Sequence, residues 1–208
     1  MAKDPQPPQA GPKDSDQVNL TDEPSRIMPV SGGGFEQSDN AQAGMDIDTM
    51  MLITAHVTQA CNDKGKGVPT LKPMDALPEV LGAVQTRVAD NGFHRQANVL
   101  ECVQAGVEPL PVIKRQSHHE PLMEWFVSDP NAPPPTDPVA NMAQRLSTQA
   151  GKALYTLRKQ TVDPVLGIIK QVMGWRQMSM RGLNKAHGEW HLVTMAWHIK
   201  RMHVLHAA

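Results

Sequence analysis

Two aspartates stand where a carboxylate could do chemistry. Asp90 follows the short apolar run Thr86-Arg87-Val88-Ala89 and precedes Asn91-Gly92. Those two residues tolerate positive φ cheaply and so mark a tight turn. A strand ending there puts Asp90 at the C-terminal edge of a sheet, where ligands and catalytic groups gather in open α/β folds. The same position suits an Asp that only starts a turn, which is the commoner use. Asp163 lies near Arg158, Lys159 and Lys170. Lys170 is seven residues on, so the two side chains leave a helix about 20° apart. A carboxylate among cations is ionised and ready to bind a metal or pair with a base. Asp163-Pro164 ahead of an apolar run equally fits a helix N-cap with proline at the first helical position. An N-cap Asp can still turn one oxygen outward, so both uses can hold together.

Other chemistry-bearing residues carry weaker signals. His187 and His191 have the i, i+4 spacing of a helical zinc pair. Glu189 sits between them, in the order His-Gly-Glu-Trp-His, so it is not placed as the base of a zinc protease, and no third ligand is evident. His118-His119-Glu120 reads as a loop or turn. Trp190 and Trp197 are seven apart and face one way, which favours core packing over base stacking. Trp175-Arg176, with Arg181 and Lys185 nearby, could touch phosphate, or could simply be a solvated basic surface.

These groups need elements to hold them. Residues 1–40 are rich in Pro, Gly, Asp and Ser and read as an irregular arm or loop. Alternation at Ala43, Met45 and Ile47, then a nearly continuous apolar run over 50–57, predicts two strands with a turn near Asp48-Thr49. A helix over 73–84, the strand ending at Asp90, a helix over 95–104 stopped by Gly106 and a strand over 110–113 follow. Pro109 and Pro111 push that last strand to a sheet edge. Residues 128–138 (SDPNAPPPTDP) form a stiff linker. Beyond it the pattern is helical, over 139–149, 153–162, 164–172 and 184–206. In the last helix Trp190, Val193, Trp197, Val204 and Leu205 fall near one face. The expected units are an arm (1–40), a sheet region (41–127), the linker (128–138) and a helical part (139–208), giving a mixed α/β fold.

Composition sets the limits. The chain has 208 residues and 40% hydrophobic content, enough for a core of Leu, Val, Ile and adaptable Met. Cys61 and Cys102 have no zinc-like spacing and read as free, buried thiols in a reducing cytoplasm. The N-terminal stretch lacks the apolar segment of a signal peptide, and no run approaches membrane-spanning length. Net charge is −1, but its distribution is uneven. Residues 1–138 carry 10 Lys+Arg against 19 Asp+Glu, whereas residues 139–208 carry 10 against only Asp163 and Glu189. A basic C-terminal part fits a polyanion-binding face, or a solvated basic helix surface.

The stretches NAQAGMDID, VTQACNDKG, VADNGFHRQANV, GKALYTLRKQTVDPVLGIIKQVMGWRQ and RGLNKAHGEWHLVTMAWHIKRM resemble bacterial insertion-sequence transposases with a DDE catalytic domain. The likeness runs from about Asn19 to the end. Its most diagnostic part is a Tyr-Arg-Glu-Lys type signature, met here as Tyr155, Arg158, Asp163 and Lys170. The resemblance implies an RNase H-like mixed sheet with flanking helices, incomplete in this chain. It implies three carboxylates holding two Mg²⁺ or Mn²⁺ ions for in-line attack on a DNA phosphodiester. Asp90 matches the second catalytic aspartate and metal ligand. Asp163 stands for the catalytic glutamate, one methylene shorter. Tyr155, Arg158 and Lys170 match positions that grip DNA phosphate, with Arg176 and Arg181 as further DNA contacts. DNA ends of a mobile element are the implied partner, bound by homodimers in the cytoplasm. The family's first catalytic aspartate, on the opening strand of the sheet, has no match; Asp46 and Asp48 fall on a later strand. On this reading the chain is N-terminally truncated and inactive alone, or a non-enzymatic DNA-binding remnant. A missing middle strand would leave open sheet edges. The chain alone is then expected to be poorly soluble or to need a partner polypeptide, and a cooperative thermal transition in a monodisperse monomer would contradict that.

Overall fold

The computed structural model describes residues 19–29, 33–61, 77–90, 95–111 and 133–207. The architecture is mixed α/β. Among the described residues, strands β1 (Arg26–Pro29), β2 (Phe35–Ser38), β3 (Asn40–Met45), β4 (Leu52–Thr58), β5 (Thr86–Ala89) and β6 (Glu108–Pro111) pair as three two-stranded sheets. β1–β2 and β3–β4 are antiparallel; β5–β6 is parallel, with Val88 opposite Leu110. The α-helices among the described residues are, in chain order, α1 (Gln96–Gln104), α2 (Pro138–Ser147), α3 (Gln149–Gln171) and α4 (Leu183–Ala207).

The β3–β4 hairpin forms where the alternating pattern predicts it. Its turn is held by Asp46, whose carboxylate accepts from the Thr49 backbone N–H at 2.9 Å. The parallel β5–β6 pair is joined through α1, the crossover that parallel strands require. The β1–β2 hairpin lies where the sequence predicts an arm, with the Ser25 hydroxyl donating to Gln37 Oε1 at 3.0 Å. Its strands are four residues each, and Phe35 is exposed, so no apolar alternation announced it. The helix expected over 73–84 is absent among the described residues there. A single 3₁₀ turn, Glu79–Leu81, occupies part of it, with no buried residue to anchor a longer helix.

The largest correction concerns α3. Two helices were expected, breaking at Asp163-Pro164, yet one helix runs through Pro164. An interior proline removes a helical hydrogen bond and costs about 3 kcal/mol. Burial on both sides of it offsets that cost: Tyr155 and Thr161 are buried before it, Val165 and Ile169 after it. The cap sits upstream instead, at Thr148, whose hydroxyl accepts from Gly151 N–H at 3.0 Å. Gly151 is required there, because a Cβ would lie 2.0 Å from the Arg145 carbonyl oxygen. Asp137 caps α2 in the same way, accepting from Ala140 N–H at 2.9 Å.

The main core lies between the β3–β4 hairpin and the helices α3 and α4. Leu52, Val57, Val165, Ile169, Ala186, Trp190 and Trp197 form it. A second cluster joins Cys102 and Val107. Cys102 is buried as expected, but Cys61 is exposed. Val204 and Leu205, expected on the buried face of α4, are also exposed, because α4 runs beyond the hairpin it packs on.

Three α4 side chains donate to carbonyls of that hairpin, and the Leu52 N–H donates back to His198 Nε2 at 3.0 Å. Trp190 Nε1 donates to the Gln42 carbonyl at 3.1 Å, and Trp197 Nε1 to the Met50 carbonyl at 2.9 Å. Arg201 Nε donates to the Thr49 carbonyl at 2.6 Å. Trp197→Phe keeps most of the packing and loses the hydrogen bond, so urea unfolding should show a loss of about 1 kcal/mol. Trp197→Ala removes the ring as well and should cost about 3–5 kcal/mol. Unchanged stability in Trp197→Phe would mean that the indole bond contributes nothing.

Candidate metal and nucleic-acid site

Asp90 is the residue after β5, at the C-terminal end of that parallel strand. α3 packs against β5 as well as β3, and so carries its exposed residues to that strand end. Arg158 and Asp163 are on α3, more than one turn apart. Nη1 of Arg158 lies 3.6 Å from an oxygen of Asp163 and 4.0 Å from an oxygen of Asp90. One guanidinium therefore faces both candidate carboxylates. They are gathered at one place on the molecule.

The environments differ in a useful way. The side chains of Asp90 and Asp163 are 58% and 56% exposed, that of Arg158 only 15%. Both carboxylates are open to solvent and to a ligand. The cation is fixed from below. Tyr155, one turn earlier on α3 and buried, places its ring centroid 5.6 Å from the Arg158 guanidinium carbon. That is within cation–π reach. Nε of Arg158 is buried without a hydrogen-bond partner. Asp163 is no N-cap: it lies inside α3, with its side chain turned to Arg158.

Of the other predicted residues, Lys170 is exposed on α3, two turns beyond Asp163, which is about 10 Å along the axis. Arg176 and Arg181 are exposed in the segment between α3 and α4. Arg176 donates to Gln171 Oε1 at 2.7 Å.

That connecting segment is organised by a residue the sequence reading dismissed. Glu189, on α4, is 8% exposed. Its carboxylate accepts from Trp175 Nε1 at 3.0 Å, from Ser179 N–H at 2.8 Å and from Met180 N–H at 3.0 Å. Trp175 also stacks on Trp190, with centroids 5.0 Å apart. The residues holding Arg176 and Arg181 in place are thus bound to one buried acid. Burial pushes the Glu189 carboxyl up, but the bonds from Trp175, Ser179 and Met180 outweigh it and hold it below the usual carboxylate range. The signal available in the sequence was that Glu189 is one of only two acids in a basic segment.

His187 and His191 meet edge to face, 4.4 Å between ring centroids. Among the described residues no group of three His, Cys, Asp or Glu is placed to hold a metal ion, so this pair has no third ligand there and neither do Asp90 and Asp163. The histidines at 118 and 119 lie outside the described residues.

Residues 133–203 match the family model described as a transposase DDE domain. Over that segment the chain is similar to DDE transposases. The match covers roughly a third of the chain, spanning α2, α3 and most of α4. Tyr155, Arg158, Asp163, Lys170, Arg176 and Arg181 all lie inside the matched segment; Asp90 lies outside it and meets it at Arg158. No curated protein and no solved structure matches the chain. No helix among the described residues is long and apolar enough to cross a membrane.

The Glu189 geometry fixes a pH dependence. Its folded-state pKa lies below the unfolded one, so the stabilisation is complete above the unfolded carboxylate range. It is lost as pH falls through the folded value. Glu189→Gln should destabilise the protein at neutral pH by about 1–3 kcal/mol, because an amide turns donors toward donors. It should also flatten the loss of stability as pH falls below the usual carboxylate range, as followed by tryptophan fluorescence. An unchanged acid limb would show that another group controls it.

Proposed function

We propose that this chain provides part of the catalytic centre and the DNA-facing surface of an insertion-sequence transposase. The observation carrying the proposal is the meeting of Asp90 and Asp163 around one guanidinium. Residues so far apart in the chain do not converge on one cation by local turn chemistry.

The donor set fits a hard divalent ion. Two carboxylates, each more than half exposed and facing the same cation, offer the oxygen ligands that Mg²⁺ and Mn²⁺ take. Asp90 and Asp163 would hold the ion. When bound, such ions activate a water or a 3′-hydroxyl and neutralise the leaving oxygen at a DNA phosphodiester. Arg158 and Lys170 line the same helix and would neutralise phosphate beside the scissile bond. Arg176 and Arg181, on the segment anchored by Glu189, would extend that contact along the DNA backbone. Tyr155 supports Arg158 from beneath. The fold part is read as an RNase H-like sheet with its flanking helices, acting as a homodimer on paired element ends.

A second reading is a DNA-binding protein without strand cleavage. It is favoured by the lack of a third carboxylate beside Asp90 and Asp163 among the described residues. Asp at 163 adds to it, since a catalytic group displaced by about 1 Å can lose on the order of 100-fold in rate.

Two experiments separate these readings. Duplex DNA binding measured across salt concentrations should weaken with a slope reporting several phosphate contacts. Arg176→Ala and Arg181→Ala should each reduce that slope by about 1, and a salt-independent affinity would remove DNA from the account. Labelled element ends incubated with Mn²⁺ should stay intact with this chain alone and be nicked once a polypeptide supplying the third carboxylate is added. Nicking that persists in Asp163→Asn would show the metal site to be elsewhere.

A further inference from the structure

We propose that Arg158 is the internal occupant of the cation site. It neutralises Asp90 and Asp163 while no divalent ion is bound, and it is released toward an anion when one binds. The inference rests on the metal-site reading above and adds a regulatory property to it: cation entry and Arg158 release are one exchange.

Three features of the geometry lead here. First, the guanidinium meets both carboxylates. A single nitrogen, Nη1, lies within 4.0 Å of each. Without it, two like charges would face each other across the site and raise each other's cost of ionisation. Secondly, the pairing is loose. At 3.6 and 4.0 Å both contacts exceed hydrogen-bond length. A guanidinium committed to a carboxylate normally makes a short bidentate fork. Here Arg158 faces two carboxylates beyond hydrogen-bond length, and its buried Nε has no partner. Thirdly, the guanidinium has a partner that is not an acid. Its carbon lies 5.6 Å from the Tyr155 ring centroid, a contact within cation–π reach that does not depend on the carboxylates. Both carboxylates are over half exposed, so an arriving ion reaches them without forcing the helix open.

The physical consequence is a competition and its converse. A bound divalent ion and the Arg158 charge repel, so each disfavours the other at the same carboxylates. An anion that draws Arg158 away, such as a DNA phosphate, therefore favours cation binding. By linkage the cation favours the anion by the same factor. The site would fill at lower cation concentration when nucleic acid is present.

The test is Mn²⁺ binding, read by the loss of the free-ion electron paramagnetic resonance signal. Arg158→Met should bind Mn²⁺ at least about tenfold more tightly than the unaltered protein. That gain should vanish when Asp163→Asn is added. If binding depends on Asp90 and Asp163 but is no tighter in Arg158→Met, the exchange is wrong and the metal-site reading stands. If neither aspartate affects binding in either background, both fail. Should the methionine variant not fold, the unaltered protein decides. With ¹⁵N-labelled arginine, Mg²⁺ should shift one Nε–H resonance, identified by its absence in Arg158→Lys. An Arg158 resonance that stays fixed while Mg²⁺ saturates the aspartates overturns the proposal.

Discussion

Like charges do not share a small space unless something between them carries the opposite sign, and in this molecule that something is the Arg158 guanidinium. Asp90 comes from the end of a parallel strand, Asp163 from the middle of a 23-residue helix. Both carboxylates are largely solvated, so their pairing with Arg158 contributes little to stability. Its importance is positional. The arrangement needs β5 to end where it does, α3 to stay helical through Pro164, and Tyr155 to carry the guanidinium toward the strand. Each of those conditions is met by burial elsewhere: Leu110 beside β5, Val165 and Ile169 after the proline, Tyr155 itself in the interior.

The second constraint is a buried negative charge. Glu189 ties the segment between α3 and α4 to α4 through backbone and indole donors, and Trp175 on Trp190 closes the same corner. Gly174, three residues past the end of α3, takes φ 78°, a left-handed conformation that would strain any other residue. The exposed arginines of the segment are thus presented from a fixed scaffold. A basic surface held this way can read the spacing of phosphates, whereas a mobile one supplies only net attraction.

Much of this was legible in the sequence where local pattern and tertiary demand agreed. Alternation gave the β3–β4 hairpin, Asn91-Gly92 marked the end of β5, and the tryptophan spacing gave the buried face of α4 near Trp190 and Trp197. The signature of Tyr155, Arg158, Asp163 and Lys170 pointed to the segment that the transposase family model matches. What local pattern hid was decided at long range. Asp163-Pro164 carries every mark of a helix start, and only the packing of Val165 and Ile169 against the hairpin keeps the helix whole. Glu189 looked like an unplaced base between two histidines, because its donors at Trp175, Ser179 and Met180 come from another turn of the chain. The bridging role of Arg158 was equally invisible, since nothing in its neighbourhood along the chain mentions Asp90.

The claim on which the account turns is that Asp90 and Asp163 act as one cation site. A double-mutant cycle on Mn²⁺ affinity addresses it most directly, using Asp90→Asn, Asp163→Asn and the pair. Ligands of one ion are coupled, so either single change should remove most of the affinity and the second should add little, a coupling above about 1 kcal/mol. Strictly additive losses, or affinity untouched by one of the two changes, would contradict it.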